Sequence, residues 1–480
     1  MESTTITLPV PSGLVWGFAT LAGIAIASWI VVLTLPEKGG NPAAALRDRL
    51  GMEKLPVAAF LTVAALWSAI ALILFSGLFG LVVDVLGDMA PAPGATEAVW
   101  DFRFKLIQIT ALTTVLGAVI ALPITMSRLR LQTEANLTGN EALFNDKINA
   151  ATEGLYARRQ VTEWREYNSH QVWQDDIVQR CAAIDRLEGL ADENTSEIPR
   201  IARLLSVYVR ELSVELPAQL PPEGATTLHL KDWVASLPQP RSDMEKAAQT
   251  LGLLNPVNLD TLGDEIDLRG ANLQCCDLQS LNFDRARLAG THLEGAALKH
   301  TSLVQADLSQ ASLTGADLWY AQLRLANLEG AQLQMADLTN VALHRADLRR
   351  AQMQGTNLWG AQLQEANLRD AQLQGTDLWG AQLQGANLWE AQFDDKSSLG
   401  SASLSGTALR DIDFTDIPQI GGHIEQVFGD ASVTLPNGVT PDSDNWPEHW
   451  SKEKLGLNDF LTQWRAFQAT LPLDWGDPDR

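Results

Sequence analysis

Histidine, cysteine and acidic side chains carry most catalytic and metal-binding chemistry, but in this chain their spacing forms no known motif. The seven histidines are scattered, and His292, His300 and His344 share no spacing that would direct them at one ion. The chain has no HExxH sequence, no pair of CxxC motifs, no glycine-rich phosphate loop and no nucleophile elbow. We therefore predict a protein without catalytic residues, a cofactor or a metal site.

The three cysteines, Cys181, Cys275 and Cys276, are too few for a disulfide framework and suit a reducing compartment. Cys275 and Cys276 are adjacent and could form a redox pair. Cys276, however, occupies a small-residue position of the repeat described below, which favours simple packing.

Tryptophan and arginine residues that recur at multiples of 20 residues are the best candidates for a binding surface. One set is Trp319, Trp359 and Trp379, and the other is Arg349, Arg369 and Trp389. Exposed aromatic side chains often mark protein–protein contacts, so we predict a partner surface at these six residues. The alternative is that the rings shield the edges of the fold or lie beneath the terminal domains.

A five-residue pattern between Asp267 and Phe393 must position these side chains. From Leu268 onward, every fifth residue is Leu, Phe or Met at 26 consecutive positions, of which 23 are Leu. A small residue, usually Ala, lies two positions before nearly all of them, as at Ala306 and Ala386. A strict period of this kind is typical of a repeat architecture.

A period of five fits neither a helix nor a continuous strand. In a helix, five residues advance by about 500°, so the leucines would face every side. In a strand, the odd spacing would place successive leucines on opposite faces. A chain that turns a corner once per repeat keeps the leucines inside, and four such corners close a square coil. Successive coils would then pair at the usual strand spacing of roughly 4.8 Å.

The units ANLRD, TDLWG, ADLSQ and ADLTN resemble the pentapeptide-repeat family, whose motif is A-(D/N)-L-x-x. The resemblance implies a β-solenoid of known type, a right-handed quadrilateral β-helix. It implies little about chemistry, because the functions of the family are diverse.

Outward positions 20 residues apart should stack along the faces of such a coil. Two opposite faces carry Asp or Asn just before the central leucine, as at Asp307 and Asp317, and the other two carry mostly Gln, as at Gln332 and Gln362. Amide ladders of this kind can stabilise stacked strands along the axis.

Three apolar runs near the N-terminus predict transmembrane helices at about residues 13–35, 57–83 and 106–126, since each is uncharged and about long enough to cross a bilayer. A buried soluble helix is the alternative for the third run, which is more polar. Basic residues lie in the first loop and after the third run. The positive-inside rule therefore predicts a multi-pass protein of the bacterial inner membrane, with its N-terminus outside and its repeats in the cytoplasm.

Four regions follow from these patterns. We predict a membrane anchor over 1–126, a cytoplasmic helical region over 127–262, the β-helix over 263–417 and a capping region over 418–480. The helical region resembles the segment that precedes the repeats in some membrane-anchored bacterial pentapeptide proteins, and it could act as a spacer and cap or as a self-association element. Ser242 and Glu245 have the spacing of a capping box.

The capping region contains two further predicted elements. The sequence FGDASVTLPNGVT predicts a short hairpin or extended pair. An amphipathic helix should follow, with five residues on its apolar side: Leu457, Phe460, Leu461, Trp464 and Phe467. Capping of the last coil is the first interpretation of this region, and a contact between copies of the chain is the second.

These features predict a non-catalytic, membrane-anchored scaffold that binds an unknown protein partner and contacts the bilayer through its N-terminal helices. The alternative is a DNA-mimic modulator of a topoisomerase, because some soluble members of the resembled family act in that way. Residues 266–414 hold 17 acidic and 11 basic residues, a net charge of −6, which is only mildly acidic for mimicry. The net charge of −23 for the whole chain argues against direct nucleic-acid binding. A transporter would need polar pathways that the three runs lack.

Overall fold

The structure is a computed structural model that describes residues 55–87, 96–165, 168–255 and 266–471, together with 44, 47, 48 and 52. The chain divides into two compact units between Asn145 and Asp146. The predicted first span, residues 13–35, lies outside the described residues.

Two long helices dominate the first unit. Helix α1 is Val57–Gly87, and helix α2 is Thr96–Leu155, whose last ten residues belong to the second unit. The indole N–H of Trp67 on α1 donates to the carbonyl of Val119 on α2 at 3.1 Å. Two stretches are long and apolar enough to cross a membrane, Val57–Leu86 and Val99–Leu155. The described residues thus hold two candidate spans, and the predicted third span is part of a much longer helix.

Between α2 and the repeats, the described residues form four more α-helices and a hairpin that was not predicted. Helices α3 to α6 are Ile177–Glu193, Ile198–Glu215, Thr227–Ser236 and Ser242–Leu254. Strands β1 (Arg158–Arg165) and β2 (Asn168–Asp175) pair antiparallel, where a helix was expected. Helices α3, α4 and α6 bury Ile184, Leu205 and Leu251 completely and so form a core of their own.

Helices α4 and α6 satisfy the open edge of the first coil. The amides of Asn272, Asp277 and Asn282 have no preceding coil to donate to. They donate instead to Ser213 Oγ at 2.8 Å, to a Glu245 carboxylate oxygen at 2.8 Å and to the carbonyl of Gly252 at 3.1 Å. An unpaired strand edge is costly when buried, so these bonds explain how the solenoid begins.

The same contacts correct the predicted capping box. The N-cap of α6 is Arg241, which makes no side-chain cap bond, and Ser242 is already helical. Glu245 docks α6 on the coil instead. Gly252 permits the close approach, because a Cβ at this position would lie 2.7 Å from the Cβ of Leu281.

The repeats form a coil whose turns pair in parallel 20 residues apart, from Asp267 with Arg287 to Gln372 with Gln392. Four such bridges occur in each turn of 20 residues, so the coil has four faces. The central leucines and the alanines two positions before them are buried, as predicted. Two residues after each leucine the backbone is left-handed, for example at Gly270 (φ 65°) and Leu325 (φ 59°). This conformation turns the corner.

The coil continues beyond its predicted end at residue 417. Asp394 to Lys396 add one residue, so Asp377 pairs with Ser398, 21 positions later. Pairing then extends through Ala408 with Phe428 and Asp413 with Thr434. The short hairpin or extended pair predicted at 428–440 was therefore wrong for Phe428 and Thr434, which pair with the preceding turn and not with each other's segment. Helix α7, Leu457–Gln468, follows as predicted, although Leu457 is 50% exposed and does not belong to its apolar side.

Candidate interaction surface on the repeat coil

Asp and Asn residues before the central leucines fix the backbone that carries the candidate tryptophans. Oδ1 of Asp317, Asn357 and Asp377 accepts a hydrogen bond from the amide two residues later, at 3.3, 3.1 and 3.0 Å. The donors are the amides of Trp319, Trp359 and Trp379. Such Asx turns satisfy the corner amide locally and leave the following side chain pointing outward. The Asp/Asn preference of the repeat is therefore largely a turn requirement.

Trp319, Trp359 and Trp379 lie on one face of the coil, which we call the tryptophan face. They are 38%, 47% and 51% exposed. Tyr320 and Leu325 are the other large exposed apolar residues among positions 266–417 of the described coil, and Tyr320 lies on the same face. The apolar exposure of the solenoid is therefore concentrated on one side, and exposed apolar patches of this kind mark contact sites.

His300 and Tyr320 extend this face, although neither was among the predicted surface residues. The ring of His300 stacks on Tyr320 at 5.7 Å and meets Trp319 edge to face at 5.2 Å. Trp319 and Tyr320 are 4.5 Å apart. The 20-residue spacing in the sequence could have indicated this cluster, since Tyr320 follows a candidate tryptophan and His300 precedes Tyr320 by one turn.

Arg349 and Arg369 lie on the opposite face, where both form ion pairs with acidic residues of the same chain. Arg349 pairs with Asp347 at 2.6 Å and with Glu329 at 2.8 Å, and the interaction with Asp347 raises its pKa. Arg369 pairs with Glu390 and lies over the ring of Trp389 at 5.9 Å. Exposed pairs of this kind contribute little to stability, and they reduce the positive charge that a partner would meet.

Trp389 does not belong to an accessible surface, which corrects its prediction as a partner residue. It is 5% exposed, and its ring meets Phe460 of α7 edge to face at 5.2 Å. Arg410 lies over both rings, at 5.4 Å from Trp389 and 5.6 Å from Phe460. For this residue the alternative interpretation, a ring beneath a terminal domain, is the right one.

The glutamine ladders differ from the vertical stacks that were expected. Their hydrogen bonds run diagonally. Each joins a Gln that follows one central residue to a Gln 18 positions later, which precedes the central residue of the next turn. The bonds join Gln334 to Gln352 at 2.7 Å, Gln364 to Gln382 at 2.6 Å and Gln374 to Gln392 at 3.0 Å. These side chains hold neighbouring turns together, so the glutamine faces have a structural role.

A buried ionic network of titratable side chains lies in the helical region. Asp243, fully buried, accepts hydrogen bonds from Tyr208 at 2.7 Å and from Arg241 at 2.7 and 2.8 Å. Arg241 and Arg180 both pair with Asp175, at 2.8 and 2.6 Å. Burial raises the pKa of Asp243, but the bonds from Arg241 and Tyr208 lower it by more, so the carboxylate is charged and fully paired. The network joins β2, α3, α4 and α6 and leaves no free group for chemistry.

The cysteines and histidines of the described ranges do not assemble a reactive site. Cys276 is completely buried, and burial raises its pKa far above the ordinary value and also raises that of Cys275. Thiols with raised pKa values are poor nucleophiles, which supports the packing interpretation. His292 contacts Glu294 at 3.2 Å, whereas His300 belongs to the aromatic cluster. Within the described ranges, no group of three or more His, Cys, Asp or Glu residues could hold a metal ion.

Comparison with known proteins identifies the repeat. The family model for pentapeptide repeats matches in eight copies, over residues 264–298, 291–330, 321–360 and 361–395. The search of curated proteins gave no match.

Several solved structures of pentapeptide repeat proteins also match. HetL from the cyanobacterium Nostoc sp. strain PCC 7120, involved in heterocyst differentiation regulation, is 27% identical; the match covers 35% of this chain and 83% of HetL, with a TM-score of 0.17. Rfr23 from the cyanobacterium Cyanothece 51142 is 26% identical over 27% of this chain and 89% of its own, with a TM-score of 0.17. Full-length QnrB1, a plasmid-mediated fluoroquinolone resistance protein, is 16% identical; the match covers 40% of this chain and 96% of QnrB1, with a TM-score of 0.19.

The family model and the parallel pairing of turns 20 residues apart agree on the same stretch of chain. The leucine ladder, the buried alanines and the corner Asx turns are the physical content of that match. The chain belongs, through its repeat region, to the pentapeptide-repeat family.

Proposed function

We propose that this protein is a non-catalytic scaffold, anchored in the bacterial inner membrane, that holds a protein partner on its tryptophan face at the cytoplasmic side. The observation that carries the proposal is the concentration of exposed aromatic side chains on that face of an otherwise polar coil. Aromatic residues dominate the binding energy of protein interfaces, so a partner gains most from this face.

The apolar helices support the membrane part of the proposal. Leu72 and Phe79 on α1 and Ile107 on α2 are exposed, which is unfavourable in water and favourable in lipid. Protease added outside intact cells should leave the repeats intact; their degradation would overturn the proposed orientation.

The partner surface is tested by photo-crosslinking in membranes that contain the full-length protein. A crosslinker at Thr339 lies on the tryptophan face, and one at Glu329 lies on the opposite face at the same position of the repeat. We expect a crosslinked partner from Thr339 and none from Glu329. Changing Trp319, Trp359 and Trp379 to Gln should abolish that crosslink and leave thermal unfolding nearly unaltered. Loss of folding in this variant would show that the rings shield the coil instead.

The alternative function, a DNA mimic that modulates a topoisomerase, has less support. Mimicry requires a continuous acidic surface. Here Arg345 pairs with Glu365 at 2.7 Å, and Arg349 with Glu329 at 2.8 Å, so cations interrupt the carboxylates. Clear inhibition of gyrase supercoiling by the purified protein would favour this alternative over the scaffold.

A further inference from the structure

From the tryptophan face we infer the chemical class of the partner: an extended polypeptide segment that carries arginine or lysine. This inference rests on the proposed function, because it presumes that a protein binds there. It depends on two features of the face, a gap between two aromatic rings and carboxylates without counter-ions.

The gap lies over Thr339, between Trp319 and Trp359. The two tryptophans are two turns apart, so their side chains start roughly 9.6 Å from each other. The residue between them is small, and its hydroxyl is bonded within the chain, since it donates to Asp337 and accepts from Asn357 Nδ2 at 2.8 Å. The floor of the gap is therefore satisfied, and an exposed tryptophan lies on the turn at either side of it.

A planar cation fits such a gap. A guanidinium over Thr339 would lie between the two tryptophans, and a tryptophan ring attracts a cation that comes within about 6 Å of its centre. Gly380 follows Trp379 at the adjacent corner, and a Cβ at this position would meet nothing closer than 4.0 Å, whereas the Asn340 side chain lies over Gly360. The backbone of an extended segment can therefore approach beside Trp379.

The charges of the face select a basic segment. Asp317, Asp337 and Asp377 line it, and Asp317 is paired with Lys299 at 3.0 Å. Asp337 and Asp377 form no ion pair within the part of the chain that the structure describes. Each uses Oδ1 in its Asx turn, with the amides of Thr339 and Trp379 at 3.0 Å, and retains a second carboxylate oxygen for a ligand.

Other occupants fit less well. The chain carries a net charge of −23, so a second copy would bring more negative charge to an acidic face. Anionic lipid headgroups and nucleic acids are repelled for the same reason. A cationic polypeptide is attracted by both the carboxylates and the rings.

The test is a titration of the detergent-solubilised full-length protein against a fluorescent arginine-rich peptide, with fluorescence anisotropy as the measurement. The matched control peptide has citrulline in place of every arginine, which keeps the shape and removes the charge. We expect the arginine peptide to bind and the citrulline peptide to bind at least about tenfold more weakly. Equal affinity for both peptides would overturn the inference.

Two matched pairs of substitutions locate the site. Asp337→Asn with Asp377→Asn removes two charges from the tryptophan face and keeps the Asx turns, since Asn serves in the same position at Asn357. Asp307→Asn with Asp347→Asn makes the same change of net charge on the opposite face. We expect the first pair to weaken the arginine peptide about tenfold and the second to leave it nearly unchanged. Equal losses would reveal nonspecific attraction and overturn the inference.

The crosslinking and peptide experiments fail in different ways. If the Thr339 crosslink forms and is lost with the three tryptophans, but the arginine peptide does not bind, the scaffold stands and the basic partner is wrong. If neither occurs, the tryptophan face is not a protein-binding surface and both proposals are wrong.

Discussion

Replacing Phe460 with alanine tests whether α7 holds the C-terminal end of the coil together. Phe460 is fully buried, and its ring contacts Trp389 at 5.2 Å and Phe428 at 5.0 Å. Trp389 lies beside Asn387, which pairs with Ala408 of the next turn, and Ala408 pairs with Phe428 of the turn after that. One side chain thus joins the helix to two turns of the solenoid that have a third turn between them.

The expected loss is large because the substitution leaves a cavity among aromatic rings. Truncation of a buried Phe to Ala costs about 3–5 kcal/mol, which includes the lost burial and the cavity that remains. In a solenoid each turn contacts only its neighbours, so this loss stays local. A loss of about 3 kcal/mol raises the population of locally open states by about a hundredfold.

Hydrogen exchange of the full-length protein measures this directly. The amides of Leu409 and Phe428, which bond across the last turns, should exchange about a hundredfold faster in Phe460→Ala. The amides of Leu328 and Leu348, in the middle of the coil, should exchange at the unaltered rate. The control is Leu457→Ala on the same helix, where the side chain is 50% exposed and the expected change is below about 0.5 kcal/mol. Equal acceleration in the middle and last turns would refute the local capping role, as would no acceleration at all.

Two further predictions concern the coil itself. Leu325 is 47% exposed, and its φ of 59° lies in the left-handed region, which is strained for a leucine. Leu325→Gly should therefore raise the free energy of unfolding by about 1 kcal/mol, measured by denaturant unfolding. A lower free energy of unfolding would contradict the strain argument. The hydrogen bond to Glu294 raises the pKa of His292 above 6.5. The His292–Glu294 pair therefore stabilises the folded protein fully below about pH 6.5, and this contribution is lost as the pH rises through the raised pKa. The midpoint temperature of thermal unfolding should therefore fall as the pH rises through this window in the native chain and change less in His292→Gln. Parallel curves for the two proteins would exclude the His292–Glu294 pair as the cause.

The architecture of the repeats could be predicted because each repeat obeys the same local rule. A leucine at every fifth position and a small residue two places before it can face one interior only if the chain turns at each repeat. The structure has this pairing from Asp267 to Gln392. The corner residue was not predicted, since its left-handed backbone is occupied by Gly at some turns and by residues as different as Leu325 and Arg350 at others.

The helical region was predicted less well because its signals are short and compete. The sequences RRQVTEWR and NSHQVWQD of β1 and β2 contain β-branched and aromatic residues, which favour strands, but they follow a long helical run. The capping box of Ser242 and Glu245 failed for a tertiary reason. The amide of Asp277 lies at the open edge of the first coil, and the Glu245 carboxylate accepts its hydrogen bond instead of turning back to cap its own helix.

Trp379 and Trp389 show why the accessible surface could not be derived from the repeat alone. Both residues follow a central leucine, and the amide of each donates to an Asx side chain two residues earlier, so the local sequence treats them alike. Trp379 is 51% exposed and Trp389 is 5% exposed, because Phe460, more than 70 positions further along the chain, covers only the second. Coverage of this kind depends on where α7 docks, which no five-residue period encodes. A ring that its own chain has covered contributes to folding, and a ring left exposed on a rigid polar coil remains free to bind a partner.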